Sequence, residues 1–140
     1  MTGDDEGDGA DRVLVAVNGG LMRGLKANGR MLAAHARFVR DATTAPKYRL
    51  WSIEDVYPAM LRANDGGGGP IEIEVWEVTP EGLLQIFRGE PPELSLGWIT
   101  IEDGSHVLGV LGESAIVVGM REITEFGNWR AYIRAEGIDG

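Results

Sequence analysis

Leu14-Val15-Ala16-Val17-Asn18-Gly19-Gly20-Leu21-Met22-Arg23-Gly24 is the stretch from which the rest of the chain is read. Leu14 to Val17 is a short unbroken apolar run, the pattern of a strand covered on both faces. Asn18, Gly19 and Gly20 end it abruptly. Both residue types tolerate left-handed backbone, so the chain can turn sharply with little side chain in the way. A buried strand running into such a turn can aim several backbone N–H groups at one point, which suits an anion. The same residues also serve as a plain tight turn.

Composition bounds what can sit around this turn. The chain has 140 residues, enough for one domain with its own core. Its 44% apolar and 25% charged residues put it in the ordinary globular class. It has no cysteine, which removes disulfides, thiolate metal sites and cysteine nucleophiles. His35 and His106 are the two histidines and form no pair at ligand spacing, so no metal is expected. No apolar run approaches ~20 residues, and the first residues are acidic where a signal peptide would be basic. A cytoplasmic protein away from membranes is the expectation.

The net charge of −9 is unevenly spread. Residues 1–11 carry five acids and no base, whereas residues 12–49 carry eight Lys and Arg against Asp41 alone. Residues 50–140 carry sixteen acids against five Arg. Overall acidity argues against nucleic acid, which needs positive faces. The basic segment holds the Gly-rich turn, so a pocket there would favour a small carboxylate. Alternatively, the basic front pairs with the acidic back in the fold.

Residues 1–11 have nothing to bury and are expected to be a disordered acidic tail, leaving 12–140 as a single domain. Arg12–Val17 is the first strand. Leu25–Ala34 reads as a short helix or turn sending Met31 and Leu32 to the core, and Ala36–Thr43 as helix or strand. Tyr48–Ile53 alternates as a strand with Tyr48, Leu50 and Ser52 on one face. Tyr57–Leu61 reads as irregular or briefly extended, and Asn64–Pro70 as a flexible hairpin loop. Ile71–Val78 alternates apolar and acidic residues as a strand. Thr79 then caps a helix with Pro80 in its first position and Leu83, Leu84, Ile86 and Phe87 on its apolar side. Asp103-Gly104-Ser105 marks a hairpin between Leu94–Glu102 and His106–Leu111. Ala115–Val118 is a final strand or extended segment, and a short helix begins near Gly127. This is an α+β chain with a curved mixed sheet or barrel of about six or seven strands and a few short helices.

These landmarks resemble the gamma-glutamylcyclotransferase-like superfamily, whose Tyr-Gly-Ser/Thr-Leu-Met motif is matched by Asn18-Gly19-Gly20-Leu21-Met22. The nearer resemblance is to the C-terminal domain of allophanate hydrolase. It rests on Thr44-Ala45-Pro46-Lys47-Tyr48-Arg49-Leu50, Ile71-Glu72-Ile73-Glu74-Val75-Trp76-Glu77, Asp103-Gly104-Ser105 and above all Glu122-Ile123-Thr124-Glu125-Phe126-Gly127-Asn128-Trp129-Arg130-Ala131-Tyr132. It covers about residues 12 to 134. Three positions depart from these families, the first being Asn18 where the cyclotransferase motif opens with Tyr. The cyclotransferase acid/base Glu is matched by Arg88, with Glu90 two residues on, and a guanidinium cannot accept a proton at neutral pH. Leu21 stands where the hydrolase turn carries His. Cyclotransferase activity is therefore not expected, and no Ser-Ser-Lys amidase arrangement occurs in the chain.

The resemblance implies an accessory of an amidase that binds a small carboxylate and decarboxylates an N-carboxycarbamate-like product. The alternative it leaves is a noncatalytic assembly module in urea or allophanate metabolism. The expected ligand site is framed by Asn18 and the amides of Gly19, Gly20 and Leu21, with positive charge from Arg49 or Arg130. Asn18 and Glu74 are the candidate catalytic residues, and no cofactor is expected. Each has a plainer reading: Glu74 as part of a solvated sheet face, Arg130 as partner of an acid such as Glu125. Trp98, Trp129 and Tyr132 would line a homo-oligomer face or fill the core. His35 could face a pocket, and His106 belongs at a strand edge.

Overall fold

The computed structural model describes residues 11–140; the tail expected over 1–11 lies, but for its last residue, outside them. Among the described residues eight strands fall into two sheets. The larger has the order β2-β5-β1-β7-β6, from β1 (Val13–Val17), β2 (Arg37–Thr43), β5 (Glu72–Val78), β6 (Leu94–Thr100) and β7 (His106–Gly112). The smaller runs β4-β3-β8, from β3 (Tyr48–Ile53), β4 (Tyr57–Arg62) and β8 (Arg121–Glu122). Three short helices complete the fold: α1 (Asn28–Ala33), α2 (Pro80–Phe87) and α3 (Trp129–Glu136). The expected α+β class with a mixed sheet stands: β1 pairs parallel with β7 and antiparallel with β5.

The sheet does not close into a barrel, yet its edges are managed. Tyr48, fully buried on β3, accepts the Thr100 N–H at 2.9 Å through its hydroxyl, and Arg62 of β4 donates to the Trp98 carbonyl at 2.6 Å. Side chains of the small sheet thus occupy the free edge of β6, which would otherwise invite another strand.

Sheet position decides what is buried. β1 and β5 are interior strands, and Val15, Ala16, Val17, Ile73, Val75 and Trp76 are all buried. Leu14 departs from the fully covered strand expected of it and is 44% exposed. Met31 reaches the core as expected, but Leu32 and Leu84 face solvent. The helix cap is as read: Thr79 Oγ1 accepts the Gly82 N–H, with Pro80 in the first helical position. Ala36–Thr43 resolves to strand. Tyr57–Leu61 is no irregular piece but a fully paired strand, the partner of β3. Asn64–Pro70 joins β4 to β5, which lie in different sheets, so it is not a hairpin loop. Ala115–Val118 coils into a 3₁₀ turn over Ser114–Val117 in place of a strand.

Trp129 and Tyr132 are core residues, 1% and 2% exposed, with ring centroids 5.7 Å apart; of the three aromatics suggested for an oligomer face, Trp98 alone stays exposed. Asn128 caps α3 by accepting the Ala131 N–H at 2.7 Å, and so seats Trp129 in the core.

Candidate functional site

The Gly19–Gly20 turn leaves β1 and is pinned from one side. The carbonyls of Gly19, Gly20 and Leu21 accept hydrogen bonds from Met22 N (3.0 Å), Ala27 N (2.9 Å) and Asn28 Nδ2 (2.8 Å). In a trans peptide the N–H points opposite the preceding carbonyl, so the amides of Gly20 and Leu21 turn the other way. Among the described residues, no protein acceptor takes the N–H of Gly19, Gly20 or Leu21. All three residues line a cavity of about 360 Å³. Gly19 is glycine for space: a Cβ there would lie 2.7 Å from the Pro58 ring of β4.

Asn18 also lines the cavity, but its side chain is engaged in the fold. Its Nδ2 donates to the Val110 carbonyl at 3.1 Å and ties the end of β1 to β7. The charges in the cavity wall come from residues the sequence did not single out as its cations. Arg30, at the middle of α1, forms a 2.8 Å ion pair with Glu90, whose side chain is 11% exposed, and donates to the Ile86 carbonyl. Gly89 lets that guanidinium lie flat against the chain, since a Cβ would meet it at 2.6 Å. Lys26 and Asp139 pair more loosely at 3.8 Å, both largely exposed. Asp55 and Tyr57 complete the polar part of the wall.

The remaining sequence candidates lie elsewhere. Glu74 is 1% exposed and belongs to no solvated face. Its Oε1 accepts the Arg23 N–H at 3.0 Å and the Trp76 indole at 3.1 Å, while its Oε2 accepts Arg23 Nε at 3.1 Å and Arg130 Nη2 at 3.3 Å. Burial alone would raise its pKa, but the Arg23 amide, the Trp76 indole and the Arg23 guanidinium outweigh it and hold the carboxylate below its ordinary range. Arg130 donates to the Arg23 carbonyl at 2.7 Å as well, so the Glu74–Arg130 pair grips both backbone polar groups of Arg23. The pair borders a different hollow of about 260 Å³, where Asp41, Glu72 and Glu102 make the surroundings acidic. Arg49 is held between Asp65 at 3.0 Å and Glu122 at 3.1 Å, away from the turn. The structure therefore brings Asn18, Gly19, Gly20 and Leu21 together, pairs Glu74 with Arg130 in a second place, and leaves Arg49 in a third.

His35 is exposed in left-handed backbone, and His106 is exposed at the start of β7 beside Thr100. Among the described residues no group of three or more His, Asp or Glu could hold a metal ion, and no helix is long and apolar enough to cross a membrane. Glu90 was visible in the sequence as a carboxylate just past α2. Arg30 and Asp55 carried no signal, because their approach to the turn depends on how α1 and the β3–β4 hairpin pack.

Residues 13–134 match the family model described as the allophanate hydrolase C-terminal domain. The chain belongs to that family. A solved uropathogenic E. coli-specific protein is 45% identical to this family member, covering 89% of this chain and 97% of that one at a TM-score of 0.85. Urea amidolyase of Saccharomyces cerevisiae is 27% identical over 132 residues, which are 89% of this chain. The allophanate hydrolase C-terminal-like domain spans only 7% of that enzyme's length. An AIG2-like protein from mouse shares the gamma-glutamylcyclotransferase-like fold, at 22% identity and a TM-score of 0.57 over 75% of this chain and 78% of that one.

Proposed function

We propose that this domain binds a small carboxylate on the amides of Gly20 and Leu21, in the cavity under the glycine turn. The observation that carries the reading is the state of that turn: its carbonyls accept from Met22, Ala27 and Asn28, while among the described residues its amides have no protein acceptor, and the turn lines the cavity. Such preorganised donors need no rearrangement to meet an anion. Arg30 and Lys26, each paired with an acid of the same wall, stand in the place given by sequence to Arg49 and Arg130. Service to an amidase is the natural setting, since the homologous segment is a part of urea amidolyase.

Decarboxylation of an N-carboxy anion fits the chemistry of such a cavity. The C–N bond breaks, its electron pair stays on nitrogen, the nitrogen takes a proton and CO₂ leaves. Holding the carboxylate in place and stabilising charge on nitrogen would contribute most of the effect. Leu21 and Arg88 offer no proton transfer, so the proton comes from solvent or from a group of the wall.

The test is a thermal-shift titration with acetate against chloride at matched ionic strength, in the wild type and in Gly20→Val. A Cβ at Gly20 would sit 3.6 Å from Ala27, an ordinary contact, so the variant should keep the fold while adding bulk at the turn. A saturable acetate shift, worth about 2.7 kcal/mol at a hundred times the dissociation constant, should appear in the wild type and vanish in the variant. Equal shifts with chloride would remove the proposal.

A further inference from the structure

The glycine turn closes between Gly19 and Met22, whose N–H donates to the Gly19 carbonyl, and side chains from elsewhere in the fold fasten both of its shoulders. On the incoming side Asn18 Nδ2 reaches the Val110 carbonyl of β7. On the outgoing side stands Arg23, the residue that follows the turn. Its N–H donates to Glu74 Oε1 at 3.0 Å, and its carbonyl accepts Arg130 Nη2 at 2.7 Å. Its guanidinium donates to Glu74 Oε2 and to Asp41 and lies 3.6 Å over the Phe38 ring. Glu74 belongs to β5 and Arg130 to α3, so two elements far along the chain meet on the backbone of one residue.

As a device for stability alone this is a poor choice. Glu74 is 1% exposed, and the desolvation of a buried carboxylate offsets most of what its pairing returns. Apolar side chains of similar volume often hold a fold as well. What the pair adds is direction, because the donors around Glu74 and the Nη2 shared between Glu74 and the Arg23 carbonyl fix where the Arg23 peptide groups lie. Neither Glu74 nor Arg130 lines the cavity beside the turn. We propose that Glu74 and Arg130 are positioning residues of the carboxylate site, which set the place of the Gly19–Met22 turn from outside the cavity by holding the backbone of Arg23. The role rests on the carboxylate reading given above. It replaces the catalytic part expected of Glu74 and the ligand contact expected of Arg130.

The test is a titration of acetate into isotope-labelled protein, followed by amide spectra, with chloride at matched ionic strength. Wild type is compared with Glu74→Gln, Arg130→Met and Arg62→Met. In Glu74→Gln an N–H group stands against the guanidiniums of Arg23 and Arg130, and in Arg130→Met the stem stays while both bonds of Nη2 are lost. Arg62 is the matched control: it too donates to a backbone carbonyl, that of Trp98 at 2.6 Å, but at the edge of β6. Glu74→Gln and Arg130→Met should each bind acetate about tenfold more weakly, the scale of one hydrogen bond to a charged group. Both should also move the Gly20 and Leu21 amide signals before any ligand is added. Arg62→Met should bind as wild type. The dissociation constant is taken at a temperature where each variant is folded, so a loss of stability alone does not move it. Should Glu74→Gln fail to fold, Arg130→Met decides, since the Arg130 side chain is 34% exposed. Wild-type affinity in Arg130→Met, or equal weakening in Arg62→Met, would overturn the positioning role and leave the carboxylate reading standing. No saturable acetate effect beyond chloride in the wild type would overturn both.

Discussion

Two adjacent glycines carry different burdens, and the difference can be measured. Gly19 faces Pro58, whose ring is fixed in β4, and a Cβ would come within 2.7 Å of it. Gly19→Ala should cost about 1–3 kcal/mol, the range for overpacking a tight site. Gly20→Ala should stay within about 0.5 kcal/mol, because its Cβ meets Ala27 at 3.6 Å. Urea denaturation of the two variants gives the comparison, and equal losses would mean that Pro58 does not constrain the turn. The sequence announces a special turn here without saying which glycine needs its missing side chain. That depends on Pro58, 39 positions later, and no local pattern reports it. Asn18 illustrates the same limit. Its place at the turn is legible, but its bond to Val110 exists only because β1 lies beside β7.

At the scale of elements, local chemistry is read well and pairing poorly. The cap and proline of α2 are written within ten residues and appear as expected, and Leu83 and Ile86 are buried while Leu84 turns to solvent. β4 reads only as irregular or briefly extended because Pro58 interrupts a strand signal that pairing with β3 restores. The solvated-face reading of Glu74 fails because acid–apolar alternation looks the same on an edge strand and on an interior one. Between β3 and β4 the turn closes with Val56 N donating to the Ile53 carbonyl at 3.0 Å and left-handed φ at Glu54 and Asp55. A turn with positive φ at both central positions favours Asn and Gly, and Glu is a poor fit. Glu54→Gly should therefore raise stability by about 0.5–1 kcal/mol, relief of strain exceeding the entropy that glycine adds to the unfolded chain. An unchanged or lower melting temperature would show that the hairpin is not strained at Glu54. Asp55 is left alone in that variant, since its carboxylate accepts the Ser52 and Tyr132 hydroxyls.

Across the whole molecule, the lopsided charge of the chain becomes a set of long-range pairs. Arg23, Arg30, Arg37 and Arg49 of the basic front meet Glu74, Glu90, Glu77 and Glu122 of the acidic back. The pairing of front with back accounts for the asymmetry. It also gives stability a defined dependence on pH. Asp55, Asp65, Glu74 and Asp103 all have folded-state pKa values below their ordinary ones. In the unfolded chain such groups titrate at about 3.9–4.3. Between the folded and unfolded values the unfolded state binds more protons, so stability rises with pH there and is fully present above about pH 5. Acidification through the folded values removes it. The four groups differ in salt response. Asp65 and Asp103 are exposed and their interactions screen readily, whereas Glu74 is enclosed with Arg23 and Arg130. Glu74→Gln should lose about 3 kcal/mol near neutral pH, toward the low end for breaking a buried pair since both partners are partly exposed. It should also flatten the stability profile between about pH 5 and pH 3, and the flattening should persist in high salt. Urea midpoints of wild type and variant across that range, at low and high sodium chloride, test the assignment. Parallel profiles would mean that Glu74 takes up no extra proton on unfolding, and the acid sensitivity would then belong to the exposed carboxylates and disappear with added salt.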